Sequence, residues 1–173
     1  DIRDVNAPKN AGCYTEDGYI HDTQCVIYRG PDAAYQGREL CFNASVAQFT
    51  IVDVTDKTTP TRLAAIAVAG NIYMHQGWLS PDQAYFLLND EMDEWFGQHN
   101  TRTYIFDVSD IDTPRFVKAY TAALPAVDHN LYISDTYAYE ANYTTGLRIL
   151  DLKELAEGRL TEAAFFDTYP ESN

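Results

Sequence analysis

One ten-residue phrase occurs twice in this sequence, and its repetition constrains the fold more than any other feature. IVDVTDKTTP occupies residues 51–60, and IFDVSDIDTP occupies residues 105–114, 54 positions later. The first residues, DIRDVNAPKN, carry the same aspartates and proline, and ILDLKEL at 149–155 is a weaker copy. A fixed long period is the signature of a repeat protein, in which each unit forms the same supersecondary structure.

Histidines with the same spacing mark the start of each unit, and a polar side chain follows each of them. These dyads, 54 residues apart, are His21–Asp22, His75–Gln76 and His129–Asn130. The interval from the histidine to the phrase is ten residues shorter in the third unit, which indicates a trimmed hairpin. We therefore place repeat units at residues 21–74, 75–128 and 129–173, preceded by the end of another unit at 1–20.

Each unit has the pattern of four short β-strands. Segments such as CVIYRG, ELCFN, FTIVDV and RLAAIAV are rich in Val, Ile, Tyr and Phe and are bounded by turn residues. Four antiparallel strands in about 54 residues are typical of a β-propeller blade. The sequence predicts an all-β fold with about three blades of a longer propeller, because propellers close with four to eight blades. An open, solenoid-like stack is the alternative.

The aspartates and prolines of the phrase have a structural interpretation. An aspartate after a strand tightens the turn by accepting hydrogen bonds from nearby backbone, and proline fits where the ladder needs no donor. The predicted turn residues are Asp53, Asp56, Pro60, Asp107, Asp110 and Pro114. Binding of a ligand or of calcium is the alternative role.

The three cysteines favour an oxidising compartment. Cys25 and Cys41 lie on two apolar segments joined by the turn-rich stretch RGPDAAYQGR, so a cross-strand disulfide is predicted between them. Two buried free thiols are the alternative. Cys13 then has no partner in the sequence, and no pair has the CxxC spacing of common zinc or thioredoxin motifs.

The charge of the chain excludes some partners. A formal net charge of −14 repels phosphate backbones, so we expect no nucleic-acid partner, and divalent cations or basic partners fit better. No apolar run approaches the roughly 20 residues of a transmembrane helix. The chain does not begin with Met, which fits a mature or truncated protein and does not exclude secretion.

Several long motifs resemble the LVIVD-repeat proteins of the choice-of-anchor B family. They include TIVDVTDKTTP, MHQGWLSPDQAYFLLNDEMDE, NTRTYIFDVSD, DHNLYI and ANYTTGLRILDL, and together they extend over essentially the whole chain. The resemblance implies a secreted or surface-attached bacterial β-propeller, located outside the cytoplasm, with a missing N-terminal portion. It transfers no catalytic residue to this chain.

The repeated histidines are the first candidate for a functional site. The first strand of each propeller blade lines the central channel, so His21, His75 and His129 would converge there, with Asp22 or Asp128 as carboxylate neighbours. Three imidazoles with an open position suit zinc, copper or iron. The structural alternative is a hydrogen-bond network that holds the blades together.

An acidic run in the second unit is the other candidate. Asp90, Glu91, Asp93 and Glu94 lie in NDEMDEWFGQHN at 89–100, where clustered carboxylates could coordinate calcium. The spacing is not that of an EF-hand, and a solvated acidic loop is the alternative. Trp95 and Phe96 in this run would pack on a neighbouring blade or contact a partner.

The sequence contains no GxSxG motif of a serine hydrolase and no recognisable arrangement of a nucleophilic cysteine with a histidine. It therefore favours a protein that is not an enzyme. We expect an extracytoplasmic binding or scaffold module that takes a protein or small ligand on one propeller face. Its other partners would be the remaining blades of the chain or another subunit. The alternatives are a metal-dependent enzyme with a histidine ring in the channel, and a subunit of a larger extracellular assembly. No cofactor is certain, and calcium or a transition metal is the candidate.

Overall fold

The computed structural model describes residues 1–97 and 99–172 and contains three four-stranded antiparallel sheets. Residues 98 and 173, which fall in the predicted acidic run and third unit, lie outside the described residues. The first sheet consists of β1 Asp22–Ile27, β2 Glu39–Ala44, β3 Phe49–Asp53 and β4 Thr61–Ile66. The second consists of β5 Met74–Leu79, β6 Tyr85–Asp90, β7 Arg102–Asp107 and β8 Arg115–Thr121. The third consists of β9 Leu131–Ser134, β10 Tyr137–Ala141, β11 Leu147–Asp151 and β12 Thr161–Phe166.

Within every sheet the strands follow chain order, so each sheet is a meander of the kind found in a propeller blade. β1 and β2 pack against β5, and β5 packs against β9, so the first strands of the three sheets adjoin one another. The expectation of an all-β fold made of four-stranded blades is confirmed. Four short helical turns complete the described structure: a π-helix at Asp93–Gly97 and 3-10 turns at Tyr143–Thr145, Leu155–Glu157 and Pro170–Ser172.

The first two units have the same period although their loops differ. In the first sheet the long loop, residues 28–38, joins β1 to β2, whereas in the second sheet the long loop, residues 91–101, joins β6 to β7. The third sheet has short loops at both places, residues 135–136 and 142–146, which accounts for its shorter interval. The first two units therefore have the same length although the long loop lies in the first hairpin of one sheet and in the second hairpin of the other.

The core lies between the sheets, because successive residues of a strand point to opposite faces. Phe86 of β6 packs against Phe49 of the first sheet, with ring centroids 4.8 Å apart, and Phe106 of β7 lies 4.7 Å from the same ring. Leu87 and Ile105 point the other way and join a second apolar cluster with the third sheet. The middle sheet is thus buried on both faces.

The third strand of each sheet meets the fourth with the same irregularity. The register shifts after Ile51, Ile105 and Ile149, so one residue of the outer strand has no partner at each place. The extra residues are Leu63, Val117 and Ala163. Each is a β-bulge, which bends the bulged strand and increases its twist.

The aspartates of the repeated phrase accept hydrogen bonds in the turns that follow β3 and β7. Asp53 Oδ1 accepts from the Thr55 amide at 2.9 Å, and Asp107 Oδ1 accepts from the Ser109 amide at 3.0 Å. Asp56 and Asp110 accept from amides two residues later, at 2.9 and 3.1 Å, in the same turns. Pro60 and Pro114 directly precede β4 and β8.

The predicted disulfide is confirmed. Cys25 and Cys41 lie opposite each other on β1 and β2, with Cα atoms 4.0 Å apart, and are bonded, while Cys13 is an exposed free thiol. Among the described residues no helix reaches the length and apolar character needed to cross a bilayer.

We expect replacement of both Cys25 and Cys41 by serine to lower the free energy of unfolding by about 3 kcal/mol, because the crosslink restricts the unfolded chain. Urea denaturation followed by circular dichroism measures the difference. Cys13→Ser is the control and should unfold like the wild type. A double variant with wild-type stability would show that the crosslink contributes nothing.

We expect Asp107→Ala to cost about 1 kcal/mol at neutral pH, because the carboxylate accepts from Ser109 and from Arg115. Burial raises the pKa of Asp107, but these hydrogen bonds outweigh it and leave the pKa below its usual value. The contribution is therefore present above about pH 4 and declines as the pH falls through the folded pKa. Urea denaturation at pH 7 and pH 3 should show a larger deficit at pH 7, and equal deficits would contradict this account.

Candidate functional site

The three repeated histidines lie in a row where the first strands of the sheets adjoin. His21 precedes β1, His75 is in β5, and His129 precedes β9. The rings of His21 and His75 have centroids 4.0 Å apart, and those of His75 and His129 are 4.5 Å apart. The expected convergence is therefore a row of neighbouring rings from three sheets.

Each step of the row repeats one hydrogen bond between sheets. Nδ1 of His21 donates to the backbone carbonyl of His75 at 3.1 Å, and Nδ1 of His75 donates to that of His129 at 2.9 Å. A carbonyl can only accept, so Nδ1 carries a proton in both rings, and in the neutral form of the ring the lone pair lies on Nε2. The histidines link the sheets through one nitrogen and keep the other for a second contact.

Glu91 occupies the space beside two of the free nitrogens. Its Oε2 lies 3.6 Å from Nε2 of His75, and its Oε1 lies 3.8 Å from Nε2 of His129. One ligand atom from each of these three residues lies within 4.8 Å of the other two, which makes them a possible metal-binding group. His21 is outside this group, although its ring lies next to that of His75 with the two planes tilted by 40°.

Buried contacts on both sides of Glu91 fix the loop that carries it. Asp90 accepts from the amides of Ile72 and Tyr73 at 2.8 and 2.5 Å, and Asp93 accepts from Nε of Arg102 at 2.5 Å. Burial raises the pKa of Asp93 to about 6, against the opposing effect of Arg102. With its neighbours held in this way, Glu91 is the carboxylate of the run that faces the histidines.

The four carboxylates proposed for calcium therefore have separate surroundings. Asp90 and Asp93 are buried beside Arg102, and Glu91 faces the histidines. Glu94 is partly buried, and burial raises its pKa. Trp95 and Phe96, expected to pack on a neighbouring blade or to meet a partner, are 64% and 71% exposed.

Tyrosines surround the histidine row. Tyr73 lies 5.5 Å from the ring of His21 and 6.3 Å from that of His75, and Tyr143 lies 5.4 Å from that of His129. The hydroxyl of Tyr143 donates to Oε1 of Glu91 at 3.1 Å. Tyr143 has φ +28°, a left-handed conformation that costs free energy for a residue with a side chain. Burial and then Glu91 raise the pKa of its hydroxyl.

Burial favours the neutral form of the central histidine of the row. His75 is only 3% exposed, and this burial lowers the pKa of its imidazole, although Glu91 acts in the opposite direction. Glu91 accepts a hydrogen bond from the hydroxyl of Tyr143, and none of the described ion pairs joins it to a lysine or arginine. The site thus places the imidazole of His75, whose neutral form is favoured, beside the side chain of Glu91.

Asp128, expected as a carboxylate neighbour of the histidines, belongs to a different buried network. It is fully buried and accepts from Nδ2 of Asn89 at 2.5 Å, while Glu140 accepts from the hydroxyl of Thr103 at 2.7 Å. Burial and then Glu140 raise the pKa of Asp128. This network joins the second sheet to the third and leaves Glu91 as the carboxylate of the histidine row.

The polar partners of the dyads do not share one role. Oε1 of Gln76 accepts from the amide of Leu131 at 2.7 Å, so this side chain joins the second sheet to the third. In the first sheet the same contact, to the amide of Leu79, is made by Gln24 at 2.7 Å. Asp22, the residue after His21, instead begins β1. β5 also has a bulge between Met74 and Gly77, which the pairing of β1 with β2 lacks.

Comparison with known proteins supports the fold. No family model and no curated protein matches the chain. Among solved structures, the chain is similar to a protein from Lactobacillus plantarum with a β-propeller-like fold, at a TM-score of 0.63 and 16% identity. The alignment covers 92% of this chain and 45% of that one, so the chain spans about half the length of its structural neighbour. The described sheets are blades of a β-propeller-like protein.

We expect His75→Ala to lower the free energy of unfolding by about 1–3 kcal/mol, because it leaves the partly buried carbonyl of His129 without this donor. His75→Asn should cost less, since the amide nitrogen of asparagine can take the place of Nδ1. Urea denaturation measures both. The control is His99→Ala, at an exposed position outside the row. Equal costs for alanine and asparagine would show that the bond between sheets contributes nothing.

Proposed function

We propose that this chain is part of an extracytoplasmic β-propeller of the LVIVD-repeat, choice-of-anchor B type, and that it acts as a binding module. Its ligand site is the histidine–glutamate site, defined as His21, His75, His129, Glu91 and Tyr143. The carrying observation is that imidazole nitrogens from separate sheets face one carboxylate at 3.6 and 3.8 Å. If the histidines served only to hold the sheets together, the hydrogen bonds made by their Nδ1 atoms would be sufficient, and no carboxylate would be needed beside Nε2.

The exposure of the site supports binding. The side chain of His129 is 40% exposed, and Tyr143 is 55% exposed, so a ligand can reach the edge of the row from solvent. His75 and Glu91 form its buried floor. Backbone strain at Tyr143 also supports a functional role, because such strain persists where the surrounding structure holds it and tends to cluster at ligand sites.

The proposed location outside the cytoplasm rests on the disulfide. Bonds such as Cys25–Cys41 form and persist in oxidising compartments, and thiols in the cytosol are kept reduced. The resemblance to secreted and surface-attached bacterial proteins agrees with this location. The net charge of −14 fits basic or metal-ion partners and opposes nucleic acid.

Further blades of the same chain or another subunit are the proposed structural partners. The outward faces of the first and third sheets expose large apolar side chains, which normally pack against a neighbouring sheet in a propeller. Two of these are Ile27 of the first sheet and Phe166 of the third, which are 50% and 66% exposed.

A metal-dependent enzyme is the second candidate function. It is favoured by the group His75, Glu91 and His129, which supplies three ligand atoms and leaves one side open. Metal sites that carry out catalysis keep such a position for water or substrate. A bound metal without turnover of any ester, phosphoester or peptide substrate would favour the binding module.

Thermal unfolding with a panel of small molecules tests the binding function. The panel contains zinc, nickel, copper and calcium chlorides, amino acids, and dicarboxylates. We expect at least one class to raise the Tm of the wild type and of Glu157→Gln, which alters an exposed carboxylate elsewhere, but not of Glu91→Gln. An unchanged Tm with every class, or equal shifts in both variants, would contradict a ligand site at Glu91.

A further inference from the structure

We propose that His75, Glu91 and His129 bind one transition-metal ion of the zinc class, through the two Nε2 atoms and a carboxylate oxygen. This inference rests on the proposed binding function and names the ligand of the same site. It differs from the ring expected from the repeat, because Glu91 from a loop takes the place expected for His21.

The distances favour a shared ion over direct hydrogen bonds. The separations between Glu91 and the two imidazoles, 3.6 and 3.8 Å, exceed the range of about 2.7–3.2 Å for N–H···O bonds. Ligand atoms about 2.1 Å from a tetrahedral ion are about 3.4 Å from one another. The two distances involve different oxygens of Glu91, Oε2 toward His75 and Oε1 toward His129, and one ligand atom of each residue lies within 4.8 Å of the other two. Rotation of the carboxylate and small side-chain shifts would bring one oxygen to the tetrahedral separation from both nitrogens.

The surrounding hydrogen bonds orient the ligands. A metal-binding histidine usually donates its other ring N–H to a carbonyl or carboxylate, which fixes the tautomer. His75 does this through Nδ1, which donates to the carbonyl of His129 at 2.9 Å. The hydroxyl of Tyr143 holds Oε1 of Glu91 in a corresponding way, at 3.1 Å. Both contacts exist without any ion.

The chemistry of the donors selects the class of metal. Calcium and magnesium prefer oxygen ligands, whereas imidazole suits zinc, copper, iron and nickel. Two imidazoles and one carboxylate are the donor set of many zinc sites that keep a fourth position open. Here the exposed edge of His129 gives solvent access to that position. His21 acts as a positioning residue, because its Nδ1 donates to the carbonyl of His75.

Two pairs of matched variants separate metal binding from folding. His75→Asn removes Nε2 but keeps a donor in the place of Nδ1, and His99→Asn makes the same change at an exposed position. Glu91→Gln removes the charge of a proposed ligand, and Glu157→Gln makes the same change at an exposed position in the 3-10 turn between β11 and β12. Circular dichroism of the metal-free proteins shows that each variant is folded.

The metal-free full chain is titrated with zinc chloride against a chromophoric chelator, and cobalt chloride gives an absorption spectrum that reports coordination geometry. We expect one ion per chain in the wild type and in both surface controls, with tetrahedral cobalt absorption. Affinity should fall by roughly 100-fold or more in Glu91→Gln and His75→Asn, since loss of a direct ligand costs at least as much as loss of an outer contact.

Absence of stoichiometric binding in the wild type, or undiminished binding in both site variants, would overturn the proposal. Failure of the metal proposal can be distinguished from failure of the proposed binding function. If amino acids or dicarboxylates raise the Tm of the wild type but not of Glu91→Gln, and no ion binds, the binding function is supported and the metal assignment is wrong. If nothing in the panel acts through Glu91, both are wrong.

Discussion

A four-stranded sheet with apolar side chains on both faces cannot shield those faces by itself, and this constraint underlies the whole structure. In the second sheet, Phe86 and Phe106 face the first sheet, whereas Leu87 and Ile105 face the third. Burial of each such side chain contributes about 1.5–3 kcal/mol. Packing of neighbouring sheets is thus the main source of stability, and it also brings the histidines of three units together.

The row of histidines combines the two roles that the sequence left open. The Nδ1 atoms join successive sheets, as a structural interpretation requires, while the Nε2 atoms of His75 and His129 face Glu91. Because the two ring nitrogens are chemically separate, one residue can serve both purposes. Substitutions that imitate one nitrogen at a time therefore distinguish the roles, whereas alanine removes both.

The repeat made the blades, the strand order and the Cys25–Cys41 bridge predictable, because they depend on local pattern and on pairing within one unit. From the sequence, Glu91 is one of four candidate calcium ligands, and its place beside the histidines is not predictable because it depends on a long β6–β7 loop, whereas the β2–β3 loop of the first sheet is short. Burial of Asp90 and Asp93 beside Arg102 turns the β6–β7 loop, and the sequence pattern carries no sign of it. Tyr143 was missed for a similar reason, because its position follows from a 3-10 turn with a left-handed residue.

The bulge shared by the three outer strands has a consequence for aggregation. An unpaired strand edge is a template for another chain, and bulges and charged side chains are common ways to prevent such pairing. The extra residues Leu63, Val117 and Ala163 interrupt the regular row of backbone donors on these edges, and each has a charged neighbour in the strand: Arg62, Lys118 and Glu162. The irregularity that bends the outer strand of each blade is thus also a feature that opposes edge-to-edge pairing between molecules.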